Sequence, residues 1–210
     1  MGMPNGFSNE LNPGVYSKDA SPFNVPYGDW IARWWQWTTS LPAAEHPRDN
    51  YTPEKCAAGQ SGPVWFLADQ LGGEEERTCT IPSGKAILVP ILTGQCDYTA
   101  IQIKNDEELK RCGTEGDEYG VITASIDGKE VKNLNSYRTQ SGFFNITNPK
   151  DNIYDAPAGT YRAWAEGFFV FLEPMQNGKH TVSLSASVLN PVQPQYNYNA
   201  KWIYHLIIGE

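Results

Sequence analysis

The sequence predicts an all-β protein, namely an antiparallel β-sandwich with jelly-roll-like connectivity, a tryptophan-rich N-terminal helix and a short second helix. Three observations support this prediction. Short apolar or alternating stretches recur from residue 63 to residue 208, and turn-forming residues separate them. Helical periodicity is confined to two connecting segments. The pattern shows no internal repeat and no break that marks a second domain, as expected of one sandwich.

The tryptophan-rich helix is predicted over residues 29–41, which hold four of the seven tryptophans. Asp29 is a suitable N-cap, and Pro42 ends the helix soon after Leu41. Trp35 lies at the edge of the apolar face. Three indole rings on one face require a broad apolar surface, and we expect a β-sheet to provide it. The face itself consists of Trp30, Trp34, Trp37 and Leu41.

The predicted strands follow one another with turn signals between them. Asp127-Gly128 fits a type I′ turn. A strand is predicted over residues 179–188, with apolar side chains from Val182 onward pointing inward and the serines pointing outward. Residues 161–172 are apolar on both faces, as in a central strand. The second helix is predicted over residues 105–113, with acidic residues at its start and basic residues at its end. Further strands are predicted at 63–68, 78–81, 85–92, 121–126, 130–134, 143–147 and 201–208.

Composition limits the classes of partner. The 210 residues, 40% of them hydrophobic, fit a single domain at 29–210 that follows an extended arm at 1–28. The net charge of −8 leaves no basic stripe for nucleic acid and disfavours an anionic membrane surface. No apolar run approaches the roughly 18 residues that span a bilayer. We therefore expect neither nucleic-acid binding nor membrane insertion, and the arm is a candidate for self-association.

The four cysteines lie in one stretch of the chain and contain no CxxC pair. This spacing does not fit a metal site, so two disulfides are the better interpretation. Three connectivities are possible, and we favour the sequential one, which would imply an oxidising compartment. Residues 1–6 lack signal-peptide features, so the chain is either a mature secreted or periplasmic protein or a cytosolic one with buried thiols. The cysteines are Cys56, Cys79, Cys96 and Cys112.

Several segments resemble a family of exported bacterial and archaeal proteins. The tryptophan-rich helix is followed by Cys56-Ala57-Ala58-Gly59-Gln60-Ser61-Gly62-Pro63-Val64-Trp65-Phe66-Leu67, which is similar to a characteristic segment of that family. Residues 77–87 and 157–182 add to the likeness, and the matches together cover most of residues 29–208. The family has no established activity, so the resemblance implies export and a sandwich fold but no catalytic residues.

Glu166 is the first candidate for catalysis. It shares a face with Trp164 and Phe168 in an apolar strand, where a carboxyl group would have the raised pKa of a general acid. His205 is a candidate partner, and Asp97 or a carboxylate of the 45–54 loop could complete a glycoside hydrolase pair. Alternatively, Glu166 is paired with an arginine and His205 is a core histidine. The sequence leaves open whether the protein is an enzyme.

Aromatic side chains outside the predicted core favour a carbohydrate ligand, because sugars stack on aromatic rings next to polar groups. If these aromatics belong to the core, the argument fails. The loop residues Glu45, His46 and Asp49 are further ligand-binding candidates, although a solvated acidic loop explains them as well. The candidate stacking residues are Trp35, Trp65, Tyr196 and Tyr198.

Asp151 and Asp155 lie in an oxygen-rich loop that could hold a structural Ca²⁺ ion, although ordinary turn chemistry explains them equally well. No other cofactor is expected. The leading hypothesis is thus a secreted, disulfide-stabilised β-sandwich that binds a ligand such as a glycan. The alternatives are a glycoside hydrolase that uses Glu166, and an envelope or matrix component whose arm docks on a neighbouring subunit.

Overall fold

The computed structural model describes residues 10–100, 102–114, 120–191, 194 and 197–209. Strands take up 44% of the residues and helices 18%, which confirms the all-β prediction. The helices are α1 (Tyr27–Ser40) and α2 (Asp106–Cys112). The strands are β1 (Val64–Phe66), β2 (Gly73–Pro82), β3 (Ala86–Asp97), β4 (Gly120–Ile126), β5 (Lys129–Glu130), β6 (Arg138–Asn148), β7 (Gly159–Leu172), β8 (Gly178–Val188) and β9 (Tyr198–Gly209).

The strands form two sheets. The first sheet has the order β1-β3-β7-β6, and the second has the order β2-β9-β8-β4-β5. Strands β1 and β3 are parallel, as are β2 and β9, whereas the other pairs are antiparallel. The prediction of an antiparallel sandwich is therefore wrong for one pair in each sheet. In both parallel pairs a long connection between the partners allows the chain to return in the same direction.

Helix α1 covers one face of the first sheet. The ring of Trp34 lies edge-on to Phe169 at 5.5 Å between centroids, and Trp30 lies edge-on to Phe171 at 5.7 Å. The tryptophan face thus packs on a sheet, as the periodicity predicts. The helix begins at Tyr27, with Pro26 at the N-cap position, so the predicted N-cap Asp29 lies instead in the first turn, where its charge favours the helix dipole.

The second sheet packs against the opposite face of the first. In β7, Val170 and Leu172 alternate with the phenylalanines that contact α1, so they point toward the second sheet. Strand β8 buries its four apolar residues and leaves its serines partly exposed, as predicted. Strand β9 alternates in the same way over its whole length. The core therefore lies in two layers, one under α1 and one between the sheets.

The N-terminal arm continues the first sheet. Strand β6 pairs with β7 only as far as Phe168, and beyond that point Val15 forms an isolated bridge with Leu172. The backbone N–H of Tyr16 donates to the carbonyl of Phe171 at 2.8 Å. At residues 14–16 the arm is therefore paired within its own chain. Self-association through the arm remains a prediction, and residues 1–9 lie outside the described part of the chain.

Both disulfides form with the sequential connectivity that we favour. Cys56 is bonded to Cys79 and attaches the 42–58 loop to β2. Cys96 is bonded to Cys112 and attaches α2 to the end of β3. Among the described residues, neither helix has the length and apolar character needed to cross a lipid bilayer.

Candidate ligand-binding face

The proposed catalytic residues do not meet. Glu166 is buried in the first sheet, where its Oε1 lies 2.8 Å from Nε of Arg138 and its Oε2 accepts a hydrogen bond from Gln140. His205 points outward from the second sheet and its Nε2 lies 2.9 Å from Oε2 of Glu76. Neither group is free to serve as the other's partner. Glu166 matches the arginine-paired alternative, whereas His205 is an exposed residue and not a core histidine.

Asp97 caps the turn after β3. Its Oδ1 accepts the backbone N–H of Thr99 at 2.7 Å, and its Oδ2 accepts a hydrogen bond from the side chain of Gln95. Both carboxylate oxygens are therefore used locally, as is typical of an Asx turn. Asp97 is thus a turn residue in this structure.

The 42–58 loop, which follows α1, contains the buried side chain of His46. His46 is fully buried, and its Nε2 lies 3.0 Å from the carbonyl oxygen of Thr38. Burial, together with the nearby Arg48, lowers the pKa of His46 to about 4. Glu45 and Asp49 are exposed on the same loop. The residues proposed as ligands thus divide into a buried structural histidine and two solvated carboxylates.

The two tryptophans proposed for sugar stacking are not available at the surface. Trp35 and Trp65 are buried, and the indole N–H of Trp35 donates to the hydroxyl of Thr93 at 3.3 Å. Tyr198 is half-buried and donates its hydroxyl hydrogen to the carbonyl of Gln70. Tyr196 lies outside the described residues. The prediction that Trp35 and Trp65 are exposed for sugar binding is therefore wrong, because both rings belong to the core.

The 148–155 loop is closed by the side chain of Asn152. Its Oδ1 accepts the backbone N–H groups of Tyr154 and Ala156, and its Nδ2 donates to the carbonyl of Pro149. Asp151 and Asp155 lie in the same loop. Within the described ranges, no three His, Cys, Asp or Glu side chains come together as a metal site.

An exposed aromatic face lies at the far end of the first sheet, on the side opposite α1. Cross-strand pairs set its layout: Phe143 is opposite Trp164, Asn145 is opposite Arg162, and Thr147 is opposite Thr160. Residues two apart on a strand share a face, so these side chains lie side by side. We call this surface the Phe143 face and define it by Phe143, Asn145, Thr147, Thr160, Arg162 and Asp106.

The charged groups of the Phe143 face are held in place. The guanidinium of Arg162 lies 4.3 Å from the centroid of the Phe143 ring, and its Nη2 donates to Oδ2 of Asp106 at 2.9 Å. The hydroxyl of Tyr98 donates to Oδ1 of Asp106 at 2.7 Å. That hydrogen bond, together with Arg162, lowers the pKa of Asp106, so this carboxylate is ionised at neutral pH.

The hydrogen-bonding groups of the Phe143 face surround an exposed ring. Phe143 is 39% exposed, which is unusual for a phenylalanine. The hydroxyls of Thr147 and Thr160 lie 3.1 Å apart, and Asn145 is exposed between them and the ring. The face therefore presents an apolar ring, two hydroxyls, an amide, a guanidinium and a carboxylate.

A shallow cleft of about 380 Å³ lies elsewhere, between the N-terminal arm and the start of α1. Its two cationic side chains are Lys18, which lies 3.6 Å from Asp19, and Arg138, which is paired with Glu166. Both cationic side chains of the cleft therefore already have acidic partners.

No protein-family model matches the chain, and no curated protein matches it. Among solved structures, the chain is similar to PbICP-C in its complex with falcipain-2. The alignment covers 70% of this chain and 99% of that one, with a sequence identity of 10% and a TM-score of 0.27. The cysteine protease inhibitor EhICP2 from Entamoeba histolytica is also similar, with 10% identity, coverages of 64% and 96%, and a TM-score of 0.21. Both TM-scores are far below 0.5, so neither similarity supports a function for this chain.

None of the candidate residues that we select from the sequence belongs to the Phe143 face, although the sequence contains a pattern that points to it. In the stretch from Phe143 to Thr147, the apolar Phe144 and Ile146 alternate with the other three residues, so one face carries Phe143, Asn145 and Thr147. A phenylalanine on the polar side of an alternating strand is the feature that points to this site. The contribution of α2 could not be read in this way, because it depends on tertiary packing.

Proposed function

We propose that this chain is an exported carbohydrate-binding protein that holds its ligand on the Phe143 face without cleaving it. The observation that supports this proposal is an exposed aromatic ring next to hydrogen-bonding side chains of several kinds. Sugars present apolar C–H faces and a rim of hydroxyl groups. A ring beside hydroxyl, amide, guanidinium and carboxylate groups matches both features.

The two disulfides support an oxidising compartment, and with it an exported protein. The resemblance to exported bacterial and archaeal proteins agrees with that location. We keep membership of that family, the choice between secretion and the periplasm, and a jelly-roll-like connectivity as parts of the proposal.

Binding is favoured over hydrolysis by the state of the carboxylates. A glycoside hydrolase needs two carboxyl groups about 5–10 Å apart, one of them a proton donor. On the Phe143 face, Asp106 is paired with Arg162, and its lowered pKa does not suit a general acid. Glu166, the other candidate acid, is occupied by Arg138 and Gln140.

The experiment that tests this function is a glycan array probed with the oxidised protein, followed by calorimetric titration of the best oligosaccharide. Substitution of Phe143→Ala removes the stacking ring and should weaken binding at least about tenfold, which corresponds to about 1.4 kcal/mol. Phe23→Ala is the matched control, since Phe23 is 40% exposed in the N-terminal arm and should leave the affinity unchanged.

Two results would contradict the proposal. One is the absence of binding to any glycan on the array. The other is an affinity that Phe143→Ala and Phe23→Ala change equally, because the Phe143 ring would then have no special part in recognition.

A further inference from the structure

Helix α2 covers the tryptophan that lies next to the Phe143 face. Trp164 is only 7% exposed and forms a small cluster with Ile103 and Leu109, separate from the main core. The Nζ of Lys110 lies 5.0 Å from the centroid of the Trp164 ring. The backbone of Gly113 also approaches Trp164 closely, since a Cβ there would lie 2.5 Å from its carbonyl oxygen. The burial of Trp164 thus depends on α2 and on its described neighbours Ile103 and Gly113.

Trp164 carries an unused hydrogen-bond donor. Its indole N–H is buried and has no acceptor, a condition that few buried polar groups show. Its ring lies 4.8 Å from that of Phe143, at an interplanar angle of 68°. The buried ring of Trp164, with an indole N–H that has no acceptor, therefore lies directly beside the exposed ring of Phe143.

Besides the Cys96–Cys112 bond, the contacts of α2 include the packing of Leu109 on Trp164. Asp106 also accepts hydrogen bonds from Tyr98 and Arg162. The ion pair between Asp106 and Arg162 joins side chains that are 46% and 47% exposed, and exposed pairs contribute little. The helix has seven residues, too few to be stable alone. Both cysteines of the Cys96–Cys112 bond are partly exposed. The Cys56–Cys79 bond, in contrast, is buried in the main core.

We propose that α2 is a redox-released lid over a second sugar-stacking ring, Trp164. A dithiol reductant would break the S–S bond of Cys96–Cys112, supply the two electrons and two protons of the resulting thiols, and become a disulfide itself. Release of α2 exposes Trp164 next to Phe143 and frees Arg162 from Asp106. This inference rests on the proposed function, because the ligand class is that of the Phe143 face.

The size of the effect follows from the loop that the bond closes. The two cysteines are 16 residues apart, and opening a loop of this length should raise the population with α2 released by about 10²-fold. The added ring should then tighten glycan binding by about tenfold. Because the cluster under α2 is separate from the main core, the two sheets should stay folded.

The test compares the native chain with Cys96→Ser/Cys112→Ser, in which the Cys56–Cys79 bond is kept. Hydrogen exchange of the Trp164 indole N–H, assigned by its loss in Trp164→Phe, should become about 10²-fold faster in the double variant. The native chain treated with a dithiol, with opening of one bond verified by mass spectrometry, should show the same increase. Leu109→Ala in the oxidised chain loosens α2 by packing alone and should give a smaller increase.

The possible outcomes distinguish a failure of the lid proposal from a failure of the proposed function. Unchanged indole exchange after reduction would overturn the lid. Phe143-dependent binding that is no tighter after reduction would overturn the second ring and leave the proposed function standing. If neither redox form binds a glycan, the carbohydrate assignment fails for both rings. Faster exchange together with tighter binding supports the whole proposal.

Discussion

The buried histidine of the 42–58 loop should make the stability of the protein depend on pH. The Nδ1 atom of His46 accepts the backbone N–H of Arg48 at 3.1 Å, and Nε2 lies 2.9 Å from the hydroxyl of Thr38 and 3.0 Å from its carbonyl oxygen. We infer from these partners that the ring is neutral, with its hydrogen on Nε2. A proton on Nδ1 would face the N–H of Arg48, so the charged form has no place in the folded loop.

The magnitude follows from the pKa of His46, which burial and Arg48 lower from 6.5 to about 4 in the folded state. Asp69 and Asp49 oppose this shift without cancelling it. Between these two values the unfolded chain binds more protons, so the free energy of unfolding falls as the pH falls through 6.5. The full loss, reached below about pH 4, is about 3 kcal/mol, and about 2 kcal/mol of it is lost by pH 5.

Urea unfolding at pH 8, 6.5 and 5, followed by tryptophan fluorescence with the disulfides intact, measures this loss. Carboxylates contribute to acid destabilisation as well, so the native chain must be compared with His46→Gln. That variant should lose about 2 kcal/mol less than the native chain between pH 8 and pH 5. His205→Gln, which changes an exposed histidine, is the control and should behave like the native chain. Equal losses in the native chain and His46→Gln would refute the reasoning.

Two further substitutions test the packing of the sheets by urea unfolding. A Cβ at Gly167 would lie 2.5 Å from Cβ of Thr93, so Gly167→Ala should destabilise the protein by about 1–3 kcal/mol. Gly94→Ala is the control, because a Cβ there meets open space and should cost much less. Equal losses of stability in the two variants would contradict this reasoning. Arg77 is fully buried and donates to Glu75, to Tyr204 and to the backbone of residue 69. Arg77→Met removes these hydrogen bonds, while the partly exposed Glu75 can be solvated, so the substitution should cost about 1–3 kcal/mol. A cost below about 1 kcal/mol would show that this network is not structural.

The fold class, α1 and the strands with strict alternation could be predicted because their periodicity is local. The start of strand β2, in contrast, cannot be predicted from the local sequence. Residues 74–77 are three glutamates and an arginine, and the strand that we predict here begins only at residue 78. The structure nevertheless pairs residues 74–77 with β9, more than 100 residues later in the chain. Glu74 and Glu76 point outward, while partners distant in sequence, such as Tyr204, accommodate Arg77. Tertiary pairing thus overrides a low strand propensity.

The site was harder to predict than the fold, because exposure is a tertiary property. Trp35 lies at the edge of the helical stripe and would be exposed if α1 touched a single strand. The helix also packs along β6, where Gln36 donates to the carbonyl of Asn145. Trp35 contacts Thr93 of β3, to whose hydroxyl its indole N–H donates, and it is buried. Phe143, in contrast, is 39% exposed although it lies in a strand of the same sheet. Neither outcome follows from sequence spacing alone.

The two disulfides serve different parts of this architecture. The Cys56–Cys79 bond joins the main core, where the 42–58 loop is also held by His46 and by the Arg48–Asp69 ion pair, so its loss would act on the whole fold. The Cys96–Cys112 bond holds one short helix on a cluster of its own. A local constraint on a separate cluster can be released without unfolding the rest of the molecule. Under the function that we propose, an uncovered Trp164, whose ring lies 4.8 Å from that of Phe143, would contact the same ligand.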